Sequence, residues 1–187
     1  MPAMSPVSPA ARARPLRGTG AVELLCCAAI TATLAGAALP TLVDLAQRQR
    51  LRAAAAELQA DLNLARSTAL LRSKPVRLSW QSIPAVGSCY IVHTGDAEQC
   101  SCASDLTSRC DPQVQVVRTG MLPAAQSIGL SAATRSVLFD GRKSTVTPTA
   151  TFKLSDSRGH TMHLVVNIVG RVRNCSPGGA LAGVKPC

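Results

Sequence analysis

Between residues 21 and 43 the chain is apolar except for one acid, Glu23, and this stretch limits the folds open to it. Roughly 20 residues suffice to cross a bilayer as a helix, so the segment either spans a membrane or is removed after targeting. Residues 1–17 carry Arg12, Arg14 and Arg17 and no acid, a basic leader of the kind held on the cytoplasmic side. A cleaved secretory signal is one reading, and the A-G-A at residues 35–37 supplies a small-x-small cleavage site. Glu23 argues against it. A carboxylate in hydrocarbon costs several kcal/mol and calls for a partner group.

The residues past the apolar run decide between the two. Leu51, Ala55, Leu58, Leu62, Ala65 and Ala69 recur at alternating steps of four and three, a narrow apolar stripe on a helix. Arg48, Arg50, Arg52, Glu57, Asp61, Arg66 and Arg72 stand between them as a solvated face. Ala, Leu, Gln, Glu and Arg are strong helix formers. Ser73-Lys74-Pro75 ends the run, because the residue before a proline avoids the helical region. One helix is therefore predicted from the membrane to about residue 72, kinked near Pro40. A signal peptide does not continue in this way.

Beyond Pro75 the period changes to that of strands, at residues 76–80, 89–93, 114–119, 136–140, 149–155 and 160–169, with Pro, Gly and Ser clusters between them. Two cysteines, Cys26 and Cys27, sit in the apolar run as small hydrophobes. The other six follow it, an even number that fits an oxidising compartment. Cys89, Cys100, Cys102 and Cys110 share one loop, for which two stapling disulfides of open connectivity are the better reading. Zinc is the lesser one: His93 is near, but Cys100-x-Cys102 lacks the usual C-x₂-C spacing. Cys175 and Cys187 flank the tail and are expected to pair, closing a Gly-rich segment.

The chain carries a net charge of +10, and from Arg135 onward eight basic residues face two acids. Such a field suits nucleic acid, anionic lipid or an acidic partner, and is silent about fold. Catalysis finds no support, since no P-loop, H-E-x-x-H, G-x-S-x-G or paired carboxylate setting is present. His160 and His163 do not share a strand face and read as satisfied histidines. Neither a metal nor a cofactor is expected. The informative stretch is Asn167–Cys175, where Arg171 and Arg173 would share one side of an extended chain after Gly170. They would lie about 7 Å apart, on the order of the phosphate spacing along one DNA strand. Each guanidinium offers a bidentate, charge-assisted bond that lysine lacks. An arginine-decorated edge strand that resists aggregation explains the same residues.

The N-terminal G-T-G-A-V-E-L-L at residues 18–25 resembles the class III signal of type IV pilins and type II secretion pseudopilins. The resemblance implies cleavage after Gly18 by a prepilin peptidase, with Thr19 as the new N-terminus, Glu23 at the fifth position and Pro40 at the twenty-second. It also implies a role for the acid: Glu23 would meet the terminal amine of a neighbouring subunit and set the register of a helical stack. Within the pilin-like proteins, residues 47–76 and the C-terminal G-R-V-R-N-C-S-P-G-G are similar to the GspH/FimT family of minor pilins and pseudopilins. That family implies an α+β, type IV pilin-like fold, a long N-terminal helix packed on antiparallel sheet. The division implied is a leader over 1–18, a transmembrane half-helix over 19–43, an amphipathic periplasmic half over 44–74, and a β-rich periplasmic domain over 75–187. The inner membrane would hold the chain until it joins a filament of other pilins or pseudopilins.

Members of the FimT branch share a C-terminal G-R-x-R motif implicated in binding DNA during natural transformation, and Gly170, Arg171, Val172 and Arg173 match it. The resemblance thus implies DNA as a partner; the chain's own charge offers Arg135, Arg142, Lys143, Arg158 and Lys185 as the surrounding basic field, and double-stranded DNA is the form expected. Few aromatics are present to stack single-stranded bases, so the contacts are expected at phosphate. The alternative is a structural pseudopilin of type II secretion that binds no DNA.

Overall fold

The computed structural model describes residues 20–179 and 181–187, without the side chains at 37, 38 and 40. The expected processing residues Gly18 and Thr19 lie outside the described residues. The chain divides into two compact units, Met1–Thr41 and Leu42–Cys187. Helix α1, Ala21–Arg72, runs through the described part of the first and supplies the packing helix of the second.

In the first unit the helix is long and apolar enough to cross a membrane, with mean hydropathy 1.9 over its most apolar window and none of that window buried. The hydroxyls of Thr31 and Thr33 donate back to carbonyls of the preceding turn, Thr31 to Cys27 and Ala28 and Thr33 to Ile30. Those bonds keep both polar groups satisfied without water. Glu23 lies in the first turn, where a carboxylate meets the positive end of the helix dipole.

In the second unit the stripe Leu51, Ala55, Leu58, Leu62, Ala65 and Ala69 is at most 1% exposed. The helix ends in a Schellman turn. Ser73 takes a left-handed φ of 50°, its N–H bonds Leu70 O, and Lys74 N–H reaches Ala69 O. Eleven strands follow among the described residues: β1 Val76–Ile83, β2 Gly87–His93, β3 Cys100–Cys102, β4 Ser108–Cys110, β5 Val116–Pro123, β6 Ile128–Ala132, β7 Ser136–Asp140, β8 Thr145–Thr147, β9 Ala150–Asp156, β10 Thr161–Val166 and β11 Val172–Cys175. They form a five-stranded sheet in the order β5-β2-β1-β7-β8, a four-stranded sheet in the order β11-β10-β9-β6, and the hairpin β3-β4. All pairs are antiparallel.

The helix stripe and the inner faces of both sheets share one core, which includes Leu78, Tyr90, Phe139, Phe152, Leu154, Leu164 and, from the tail, Leu181. This is the α+β, pilin-like architecture of a long N-terminal helix with antiparallel sheet. A second, smaller cluster of Cys89, Ile91, Cys100 and Leu106 lies apart from it. It forms because the cysteine loop folds over the outer face of β2, stapled by Cys89–Cys102 and Cys100–Cys110. His93 is fully buried there. Its Nδ1 accepts the Gly95 N–H at 3.2 Å, which leaves Nε2–H to donate to Ser79 Oγ at 2.9 Å. The imidazole has no free nitrogen for a metal.

One predicted strand is interrupted. The run at 160–169 was expected to be continuous, but β10 stops at Val166. Asn167 turns the chain: its carbonyl accepts Gly170 N–H and its side-chain oxygen accepts Arg171 N–H at 2.8 Å. A local side-chain bond of this type competes with the ladder and closes a turn.

Candidate nucleic-acid interface

The arginine motif sits on the hairpin that joins β10 to β11. Across its base Val166 pairs with Val172, and Asn167 N–H donates to Arg171 O at 3.1 Å. The loop is tied on its other side by Val146 N–H to Ile168 O at 2.7 Å. Gly170 is needed for two reasons. Its φ is +74°, and a Cβ would stand 3.0 Å from Arg66 Cδ and 3.1 Å from Val146 Cγ2. A rigid, glycine-closed turn thus delivers the chain into Arg171.

Arg171 and Arg173 are exposed, with half-buried Val172 between them. Neither side chain has an ion-pair or hydrogen-bond partner among the described residues. Arg171 is the last loop residue and Arg173 the second of β11, an edge strand. The tail brings a third cation close. Cys175 is bonded to Cys187, Ser176 N–H donates to Lys185 O at 2.9 Å, and Leu181 is 1% exposed. Arg52 on α1 also donates to Ala182 O. Lys185 and Arg173 consequently flank one open cleft of about 550 Å³, with Asn174, Val165 and the disulfide along its walls.

The remaining predicted cations divide. Arg142 and Lys143 lie on the β7–β8 turn, their N–H groups held by Asp140 Oδ1 at 2.9 and 3.1 Å. Those backbone bonds, with the two cations, keep the Asp140 carboxyl below its usual range. Val169 of the hairpin and Asp140 and Ser144 of the turn meet over Arg66 and Leu70, so both loops stand at the C-terminal end of α1. Arg135 immediately precedes β7, five residues before Asp140, about 17 Å at the strand rise. Arg158 is placed elsewhere. It reaches Asp44 at 3.4 Å, beside His160, whose Nδ1 is 2.7 Å from Asp156 Oδ2. Asp44 precedes Arg66 by twenty-two residues of continuous helix, about 33 Å, which removes Arg158 from the arginine motif.

Two basic residues near the motif stand outside the predicted basic field, Arg66 having been read only as part of the solvated helix face. Arg66 packs under Gly170, and only the left-handed turn brings them together. Lys153 is exposed on β9, opposite His163 on β10, which lies opposite Cys175 on β11. The alternation Thr151-Lys153-Ser155 marked these residues as one face of a strand. His163 Nδ1 is 3.7 Å from Cys187 Sγ, and the two sulfurs and this nitrogen lie within 4.8 Å of one another. The sulfurs are bonded to each other, so the thiolates that a metal would require are absent.

Residues 54–170 match the family described as Type II transport protein GspH. The chain belongs to that family. Its members are minor pilins and pseudopilins, structural subunits, and membership implies assembly with other pilins in a filament. Among solved structures, the chain is similar in fold to the type IV minor pilin FimU of Pseudomonas aeruginosa strain PAO1, with a TM-score of 0.51 and 18% identity over 72% of this chain and 97% of that one. No curated protein sequence matches. The apolar half of α1 and the family together point to a membrane-anchored GspH-family chain with a C-terminal globular domain. The family match stops at Gly170, immediately before Arg171 and Arg173.

Proposed function

We propose that this chain is a non-catalytic minor pilin of a type IV pilus that binds duplex DNA without sequence preference, through Arg171 and Arg173, and supports DNA uptake in natural transformation. The observation that carries this reading is a pair of exposed, unpartnered guanidiniums held by a glycine-closed, four-bond turn. Rigid presentation lowers the ordering cost of binding, and unpaired guanidiniums have no intramolecular bond to surrender. Lys185, Arg142 and Lys143 extend the field. In this account the prepilin peptidase cuts after Gly18, Glu23 meets a neighbour's amine, Pro40 shapes the helix for packing, and the inner membrane holds the subunit with its domain in the periplasm.

A structural pseudopilin of type II secretion is the second reading. It is favoured by the family's description and by a match that ends before the arginines. Fluorescence anisotropy with a labelled duplex, at several salt concentrations, separates the two. Under the DNA reading the full chain, in non-ionic detergent, binds at low salt and weakens by about 0.9 log unit per log salt for each phosphate contact. Arg171→Gln with Arg173→Gln should flatten that slope by roughly 2. Lysine at both positions should give an intermediate loss, since charge remains and the fork does not. A parent that does not bind at low salt leaves the structural reading in place.

A further inference from the structure

The two sheets differ in what covers their outer faces. The cysteine loop folds over β2 of the five-stranded sheet, whereas on the four-stranded one the tail reaches only the β11 side, where the Cys175–Cys187 bridge meets His163. On its two central strands the inward residues Phe152, Leu154, Met162, Leu164 and Val166 are buried. Alternation then directs Thr151, Lys153 and Ser155 of β9, and Thr161, His163 and Val165 of β10, to the other side, where none is buried. Arg173 joins that side because it pairs with Val165, and Ser131 of β6 joins it because it pairs with Lys153.

The composition of this face is selective. It holds cations, hydroxyls, an imidazole and the Cys175–Cys187 bridge, and no acidic side chain. Val165 is its one large aliphatic residue, and half-buried. The exposed large hydrophobics lie elsewhere, among them Leu70 and Leu71 on α1 and Ile168 and Val169 at the hairpin tip. A face made to pack against another pilin would be enriched in apolar and aromatic residues at its centre. One made for phosphodiester oxygens needs Lys, Arg, Ser and Thr donors and no carboxylate. His163 stays largely neutral, because burial and the Lys153 ammonium lower its proton affinity, so it offers N–H hydrogen bonding more than charge.

We propose that this outer face is a second phosphate-contact lane, in which Lys153, with the hydroxyls of Ser131, Thr151 and Ser155 around it, holds duplex DNA that continues from Arg173. The lane rests on the DNA reading above and adds to it a direction. DNA leaves the edge strand across the sheet, toward β6, and not along the helix toward Arg158. From the strand spacing and rise, the Lys153 and Arg173 backbones are about 12 Å apart, so one duplex can engage both.

The test is the same anisotropy titration on the full chain, using a labelled random-sequence duplex and Lys153→Gln, Lys153→Glu and Lys153→Arg. Lys153 is exposed, so circular dichroism should show all three folded as the parent. Lys153→Gln should weaken binding several-fold and flatten the salt slope by roughly 0.9, and Lys153→Arg should restore both. Lys153→Glu should weaken binding further. Combined with Arg171→Gln and Arg173→Gln, the slope should fall by roughly 2.7 in all. A parent that binds and responds to the arginine changes, but not to Lys153→Gln or Lys153→Glu, overturns the lane and leaves the arginine site standing. A parent that does not bind overturns both. Unchanged DNA binding with loss of Lys153→Glu protein from sheared filaments assigns the face to a pilin contact instead.

Discussion

The five-stranded and four-stranded sheets share a core but treat their charges in opposite ways. Where the helix meets the five-stranded sheet, the ionic groups are answered. Tyr90 OH donates to Asp61 Oδ2 at 2.8 Å, and Arg118 stands 3.6 Å from both Asp61 and Glu57. Arg72 donates to Gln115, and Arg77 to Ser136 Oγ at 3.0 Å. Burial, with Asp61 as acceptor and neighbour, drives the Tyr90 hydroxyl well above its ordinary pKa, so it stays a donor. On the four-stranded sheet Arg171, Arg173, Lys153 and Lys185 have no acidic partner among the described residues. Charges of the first group hold helix to sheet. Those of the second group are exposed and pair with no acid of the described residues, which leaves them available to the DNA of the proposed function.

The largest test of this contrast is removal of the cover on the five-stranded side. Cys89→Ser with Cys102→Ser should cost about 2–5 kcal/mol, because loop closure and the burial of Cys89 and Ile91 are lost together. Urea unfolding under oxidising conditions measures it, and a cost below about 1 kcal/mol would show that the loop is not holding the sheet. DNA affinity of the folded protein should be unchanged.

Next comes pH. His93 has its pKa lowered from 6.5 to about 4, first by burial and then by the Arg77 charge. The unfolded chain therefore takes up a proton at this site before the folded one does. The stability it contributes is complete above about pH 6.5 and drains away as pH falls toward about 4, by about 3 kcal/mol over the window. Urea midpoints between pH 7 and pH 4 should fall accordingly. A flat profile would mean that water reaches the ring. Smaller again is Tyr90→Phe, which leaves buried Asp61 short of one donor at a cost of about 1–2 kcal/mol by the same measurement.

How much of this was legible depended on the range of the cause. The helix stripe from Leu51 to Ala69 was readable because its period is local and its burial follows from period alone. Six strands were readable for the same reason, whereas β3, β4, β8 and β11 span only three or four residues, and β6, at five, alternates small residues that carry little signal. The hairpin was misread as strand because NIV continues the apolar pattern. The break comes from the Asn167 side chain and from the left-handed Gly170 against Arg66. The alternation within residues 149–155 puts Lys153 on a strand face, but that the face stays open around it depends on where the distant cysteine loop and the tail fold. Arg158 looked like part of the basic field by charge. Only its approach to Asp44 puts it at the other end of the helix.

The most direct measurement is a double dissociation on two variants, each assayed for urea stability and for duplex binding at low salt. Tyr90→Phe should lose about 1–2 kcal/mol and bind DNA as the parent does. Arg171→Gln with Arg173→Gln should keep its stability within about 0.5 kcal/mol and lose most of its binding, with the salt slope lowered by roughly 2. An arginine variant that binds as tightly as the parent, or that loses binding only because it unfolds, contradicts the claim that these charges are kept for DNA.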